Sequence, residues 1–269
     1  MKKKIFFVII VIVLVIIFLY FANIWKNRIK SRSILEGPGD SNLENLLYNF
    51  INGLITYLIS NENDKEFLDW KKYYPELEIL EKNWKKIRDE ALNISNDSPE
   101  YGNIDDKNKN LSFSDKAYWK VFILKYYKNY INKNCDKVQN TCILLKKLKK
   151  LNLAMFSILE KGKIIKKHRG PYRGIMRIHL PLKIPKHNKS FIEVNGKKHY
   201  WKEGEIVAID DTFVHCVSNP SKLPNSDERI ILFIDLPRKD IPSIFNQITK
   251  LSGSYFNKVN NKIEKKSKN

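Results

Sequence analysis

Two histidines and an arginine carry the chemistry that this chain's residue types and spacing allow. His168 precedes a turn-rich RGPYRG segment, so its ring can point into a cavity and need not fill a core. His215 lies about fifty residues later, behind Asp210 and Asp211 at the end of a short apolar strand. Arg229 opens an apolar run that ends at Asp235. Two imidazoles can hold a divalent iron and leave coordination sites open. A buried guanidinium can fork onto the far carboxylate of a diacid cosubstrate.

Iron(II) oxygenases usually add a carboxylate two residues after the first histidine. Here that position is Gly170. Asp211 is the candidate to orient a bound water or ligand, and it reads equally well as a turn-capping carboxylate before Thr212. His187 and His199 sit in polar turn surroundings and receive no role.

The order and context of these residues resemble the aspartyl/asparaginyl β-hydroxylase family of 2-oxoglutarate- and iron(II)-dependent oxygenases. The likeness is carried by H-x-G-P at His168–Pro171, R-x-H-L at Arg177–Leu180, E-G-x5-D-D-[ST]-F-x-H at Glu203–His215 and R-x-x-L-F-x-D at Arg229–Asp235. The resemblance implies iron held by His168 and His215 plus water, since the family also has glycine at the position of Gly170. It further implies that Arg229 and Ser157 contact the distal carboxylate of 2-oxoglutarate, with Arg177 and His179 turned into the same cavity. The loop SNPSKLPNSDE before Arg229 is longer than the family's. The implied reaction consumes O2, converts 2-oxoglutarate to succinate and hydroxylates the β-carbon of Asp or Asn in a peptide. Related oxygenases modify lipid acyl chains, and a jelly-roll binding module without metal is the non-catalytic alternative.

From Ala154 onward, short apolar runs broken by turns predict strands: AMFSILEKG, GIMRIHLPLKI, SFIEVNG, KKHYWKEG, EIVAID, TFVHCV and RIILFIDL. Asn195-Gly196 marks a hairpin between two of them. The expected fold is α+β and mainly β, a double-stranded β-helix (jelly roll, cupin-like) flanked by helices, with one N-terminal transmembrane helix. Tyr73–Ile94 reads as one amphipathic helix begun by Pro75, with Leu77, Leu80, Trp84 and Ile87 as its stripe. Its P-E-L-x-x-L-E-x-N-W-x-x-I-R-x-E pattern extends the resemblance upstream. WKVFILKYYKNYI predicts a strand and CILLKKLKKL a short helix.

The chain has 269 residues and a formal charge of +20. That excess is spread end to end with no stripe of arginine and aromatics, which argues against a nucleic-acid partner. Ile5–Trp25 is an apolar run long enough to span a bilayer, preceded by Lys2, Lys3 and Lys4. It is too long for a signal-peptide core, and Tyr20-Phe21-Ala22 lacks a small-x-small cleavage pattern. An uncleaved membrane anchor is expected. The resulting plan is an anchor over 1–26, a stalk and packing helix over 27–72, an oxygenase domain over 73–240, and a C-terminal helix with basic tail over 241–269.

Cys135 and Cys142 are spaced to close a small disulfide loop or to remain separate thiols, and Cys216 stands apart. C-x6-C-x-L-L resembles the family's disulfide, which implies pairing of Cys135 with Cys142. With sequons at Asn93, Asn96, Asn110 and Asn188, the expectation is a lumenal catalytic domain in an endoplasmic-reticulum-like compartment.

Overall fold

The computed structural model describes residues 11–18, 42–59, 63–94, 102–103, 117–127, 129–186, 189–220, 224–225 and 227–245. Most of the apolar run Ile5–Trp25 and of the expected C-terminal helix lies outside them. Within them, α1 is helical over 11–18, and no helix is long and apolar enough to cross a membrane. Helix α2 covers Asn42–Leu58.

The stretch expected as one long helix is divided. After α3 (Trp70–Tyr73) it forms a 3-10 turn (Pro75–Leu77), α4 (Glu78–Lys82) and α5 (Trp84–Asn93). Pro75 excludes the residue before it from helical geometry, and Tyr74 accordingly adopts φ −140°. Its buried hydroxyl donates to the Pro237 carbonyl at 2.5 Å, so the break also ties the helices to the barrel. The second break falls at Asn83, whose side-chain amide donates to the Ile79 carbonyl at 2.7 Å. The apolar stripe survives, because Leu77, Leu80 and Ile87 are all fully buried.

The strands are β1 (Gly102–Asn103), β2 (Trp119–Tyr126), β3 (Asn129–Tyr130), β4 (Leu153–Leu159), β5 (Ile164–His168), β6 (Ile175–Lys183), β7 (Phe191–Val194), β8 (Lys197–Tyr200), β9 (Val207–Ile209), β10 (His215–Ser218) and β11 (Arg229–Pro237). One antiparallel sheet has the order β1-β2-β4-β11-β6-β9, with β3 on β2, and the other is β5-β10-β7-β8. Apolar residues of both sheets, among them Leu159, Ile165, Ile192, Val207 and Val217, share one core. This is the mainly β, two-sheet architecture expected from the sequence. Asn195 and Gly196 turn the β7–β8 hairpin at φ +50° and +81°, values that Asn and Gly adopt at low cost.

The expected strand WKVFILKYYKNYI is interrupted after Tyr126, where Tyr127 takes φ +46° and the chain folds back as β3. Strand β5 was not anticipated. Its sequence IIKKH buries only one of its two isoleucines, so too little alternation marks it.

Period-two alternation sorts the large sheet into two faces. Phe156, Ile158, Met176, Ile178, Ile230, Leu232 and Ile234 face the helices in the main core. The intervening positions, including Ser157, Arg177, His179, Arg229 and Phe233, line a cavity with residues of the small sheet. Helices α6 (Asn132–Lys137) and α7 (Gln139–Lys146) complete the outer layer. The Glu90 carboxylate on α5 accepts from the Asn140 and Thr141 amides at the start of α7, both at 2.8 Å.

Cys135 and Cys142 form a disulfide joining α6 to α7. Closing so short a loop stabilises the fold by roughly 2 kcal/mol. Thermal unfolding with and without reductant is expected to show that loss while the histidine site below is left intact.

Candidate active site

His168 ends β5 and His215 begins β10, and the two are direct cross-strand partners in the small sheet. Side chains at such positions emerge on the same face. Their ring centroids lie 4.0 Å apart. Each Nδ1 is bonded two residues back, His168 to the Lys166 carbonyl at 2.7 Å and His215 to the Phe213 carbonyl at 2.9 Å. A carbonyl can only accept, so Nδ1 carries the proton and Nε2 keeps its lone pair. Burial holds the imidazolium of His168 down to about 4 and that of His215 well below its ordinary range, where His168 and Arg177 push further. Both rings are therefore neutral near pH 7, the form that ligates a metal.

Asp211 explains why the position two after His168 is glycine. A Cβ on Gly170 would lie 1.9 Å from one Asp211 carboxylate oxygen and 2.2 Å from its carboxylate carbon. The Gly170 amide donates to the Asp211 carbonyl at 2.7 Å. The volume that an H-x-D side chain would need is already filled by a carboxylate from another loop. Among the described residues, no group of three or more His, Cys, Asp or Glu side chains is assembled to hold a metal. Gly170→Ala is expected to cost about 1–3 kcal/mol by overpacking, measured by denaturant unfolding, because the buried Asp211 must yield.

Asp211 is not the cap before Thr212. That task falls to Asp210, which accepts from the Thr212 amide at 3.0 Å and is bound by Arg173 and Arg238. Asp211 instead pairs with Arg177, whose guanidinium also grips Asp235 at 2.9 and 3.0 Å. Burial pushes the Asp211 carboxyl up to about 7, with Asp235 and Asp210 acting in the same direction and Arg177 against it.

Arg229, His179 and Ser157 stand on the large sheet across the cavity from the two histidines. Arg229 is 2% exposed, and its Nε and Nη1 have no hydrogen-bond partner. Its guanidinium lies over the Trp201 ring at 4.9 Å. Burial without a carboxylate partner pulls it down to about 9. Both ring nitrogens of His179 are likewise unpartnered, and burial and Arg229 hold it neutral. The Ser157 hydroxyl accepts from Trp119 Nε1 at 3.0 Å. Buried donors without acceptors are costly and uncommon. Their convergence on one cavity fits a ligand that brings carboxylate oxygens, and the two neutral imidazoles fit a divalent metal beside it.

Six of the seven sequence-derived candidates (Ser157, His168, Arg177, His179, His215 and Arg229) line this cleft, whereas Asp211, paired with Arg177, lines the neighbouring cavity. Of the remaining histidines, His199 packs on Phe67 at 5.7 Å, and His187 lies outside the described residues. Sequence reasoning missed Trp119, Trp201 and Asp235. Asp235 closes the R-x-x-L-F-x-D pattern, but its place opposite Arg177 follows from the β6–β11 register, which only the structure shows. The two tryptophans carry no local signal.

A family model described as aspartyl/asparaginyl beta-hydroxylase matches residues 81–239. The ornithine lipid ester-linked acyl 2-hydroxylase of Rhizobium tropici is 32% identical over 166 residues, which is 60% of this chain and 57% of that protein. The human aspartyl/asparaginyl beta-hydroxylase is 31% identical over 186 residues, which is 64% of this chain and 23% of that protein. The chain therefore spans less than two thirds of either relative. A predicted oxalate decarboxylase of Thermotoga maritima overlays with a TM-score of 0.31 at 15% identity, covering 49% of this chain and 97% of that one. That likeness is too slight to bear on function. With more than half of its length matched by the family model, and the matched part holding both histidines and the buried arginine, the chain belongs to the aspartyl/asparaginyl β-hydroxylase family.

Proposed function

We propose that this protein is a 2-oxoglutarate- and iron(II)-dependent dioxygenase that hydroxylates the β-carbon of Asp or Asn residues in peptides or proteins. The observation that carries the reading is the pairing of two neutral histidines, ring centroids 4.0 Å apart, with a buried arginine whose Nε and Nη1 lack acceptors. His168 and His215 would hold the iron through Nε2, and Arg229 with Ser157 would take the far carboxylate of the cosubstrate. Iron(II) with 2-oxoglutarate and O2 supplies the oxidation: the cosubstrate loses CO2 to become succinate, and one oxygen atom enters a substrate C–H bond.

The chain's own contribution is positioning. The Lys166 and Phe213 carbonyls fix the two rings and their tautomer. The Trp201 ring backs the Arg229 guanidinium, and Trp119 Nε1 donates to the Ser157 hydroxyl. Asp211, placed where a third ligand's side chain would start, would orient a water on the metal. The apolar rim of Ile165, Ile192 and Val217 keeps bulk water away. The reading includes a membrane anchor at Ile5–Trp25 and a lumenal catalytic domain, supported by the disulfide, which persists in oxidising compartments.

A second reading keeps the chemistry and changes the substrate to a lipid acyl chain. A cavity beside Arg177 is walled by Tyr126, Tyr127, Leu153, Tyr172 and Ile175. Its charged groups, Arg177, Asp211 and Asp235, are already paired with one another. Such walls suit an acyl chain. The deciding experiment incubates the protein with iron(II), 2-oxoglutarate and either Asp/Asn peptides or acyl lipids, and looks for a gain of one oxygen by mass spectrometry. Succinate release with neither substrate class modified would refute both.

The low proton affinity of the histidines sets a pH dependence. Protons compete with metal only where a ring titrates, and His168 titrates at about 4. Metal affinity is expected to stay flat from pH 8 to about 5 and to fall below that, measured by calorimetry with cobalt(II) as a redox-stable probe. An ordinary imidazole would lose affinity from about pH 6.5.

A further inference from the structure

Helix α2 is apolar on both sides. At 3.6 residues per turn, Ile51, Asn52, Ile55, Thr56 and Ile59 fall on one side and are buried, whereas Phe50, Leu54, Tyr57 and Leu58 fall on the other. Phe50 is 36%, Tyr57 53% and Leu58 47% exposed. The inner side is a fitted contact. Asn52 donates to the Pro171 carbonyl at 2.8 Å and accepts from the Arg173 amide at 2.8 Å. Ile51, Ile55 and Ile59 pack with Tyr172 and Ile175. These are residues of the loop between His168 and β6, and Tyr172 and Ile175 also wall the apolar cavity beside Arg177.

We infer that the outer side of α2 lies on the surface of a lipid bilayer and seats the apolar cavity beside it. Two features select that occupant. Every residue of α1 from Val11 to Phe18 is apolar, helical and exposed, and the Phe18 ring stacks on Phe50 at 6.1 Å. Helix α1 therefore meets α2 on this same outer side. Finally, a helix with apolar residues on the side away from its domain gains free energy only by covering them. In this position α2 is a positioning element: its outer side registers on lipid while Asn52 holds the loop that follows His168.

The inference rests on the anchor within the proposed function and is independent of the reaction. The test uses the full chain with Cys216→Ser, reconstituted into phosphatidylcholine vesicles containing phosphatidylglycerol. A spin label is placed at Leu58→Cys, or at Ile143→Cys on the exposed side of α7 as the control. Collision with oxygen, which concentrates in lipid, is compared with collision with a water-soluble nickel chelate. The expected oxygen-to-nickel ratio at position 58 is several-fold above that at position 143. Equal ratios in protein that floats with the vesicles would overturn the docking and leave the anchor standing. Spin–spin broadening at 58 without oxygen preference would assign the surface to a second copy and also overturn it. Failure to float would remove both anchor and docking.

Discussion

Replacing His168 or His215 by alanine is expected to abolish substrate hydroxylation and lower metal affinity by more than about a hundredfold. Loss of a supporting partner behind a ligand already costs about 10- to 100-fold. Here the protein offers two imidazoles, and among the described residues no third side chain is grouped with them to compensate. On the proposed assignment, removing either ring would remove half of the protein's own ligand set. Folding should survive, since both rings face a cavity and bond only to local carbonyls. Cobalt(II) titration of each variant, beside its unfolding curve, checks both parts. Retained metal binding in a folded His215→Ala protein would sink the site assignment.

The second large effect is one of opposite signs at Arg229. Arg229→Met is expected to raise the half-saturating 2-oxoglutarate concentration by roughly 30-fold or more, because truncating one partner of a buried charged pair costs about 2–5 kcal/mol. The same variant is expected to stabilise the cosubstrate-free protein by about 1–3 kcal/mol. A buried cation with unpartnered donors costs more than an apolar side chain of similar volume, and the depressed proton affinity of Arg229 reports that cost. Lysine at this position keeps the charge but not the flat fork over Trp201, so Arg229→Lys should recover only part of the affinity. Chemical denaturation and cosubstrate titration read the two effects separately. If the methionine variant is less stable, the guanidinium contributes to the fold in a way that its missing partners do not reveal.

Several features were legible in the sequence because they are local. Alternation in RIILFIDL sorts Arg229, Phe233 and Asp235 from Ile230, Leu232 and Ile234, and Asn195-Gly196 specifies its own turn. The spacing of His168, His215 and Arg229 suggested which residues meet. The long helix expected over Tyr73–Ile94 is divided in the structure for an equally local reason. Its apolar stripe is continuous, but Pro75 and Asn83 divide the backbone without moving the stripe.

What the sequence by itself determined is the set of side chains able to ligate, to pair and to alternate, since these follow from residue type and a two- or four-residue period. Only the tertiary structure decided their partners. Strand β5 exists because β10 pairs with it, and that pairing sets His168 opposite His215. Gly170 is bare because Asp211, remote in the chain, occupies its side-chain volume. Arg177 is satisfied while Arg229 is not, because the strand register places Asp235 opposite one and Leu159 opposite the other. Each of these depends on register between distant segments, and no local period encodes register.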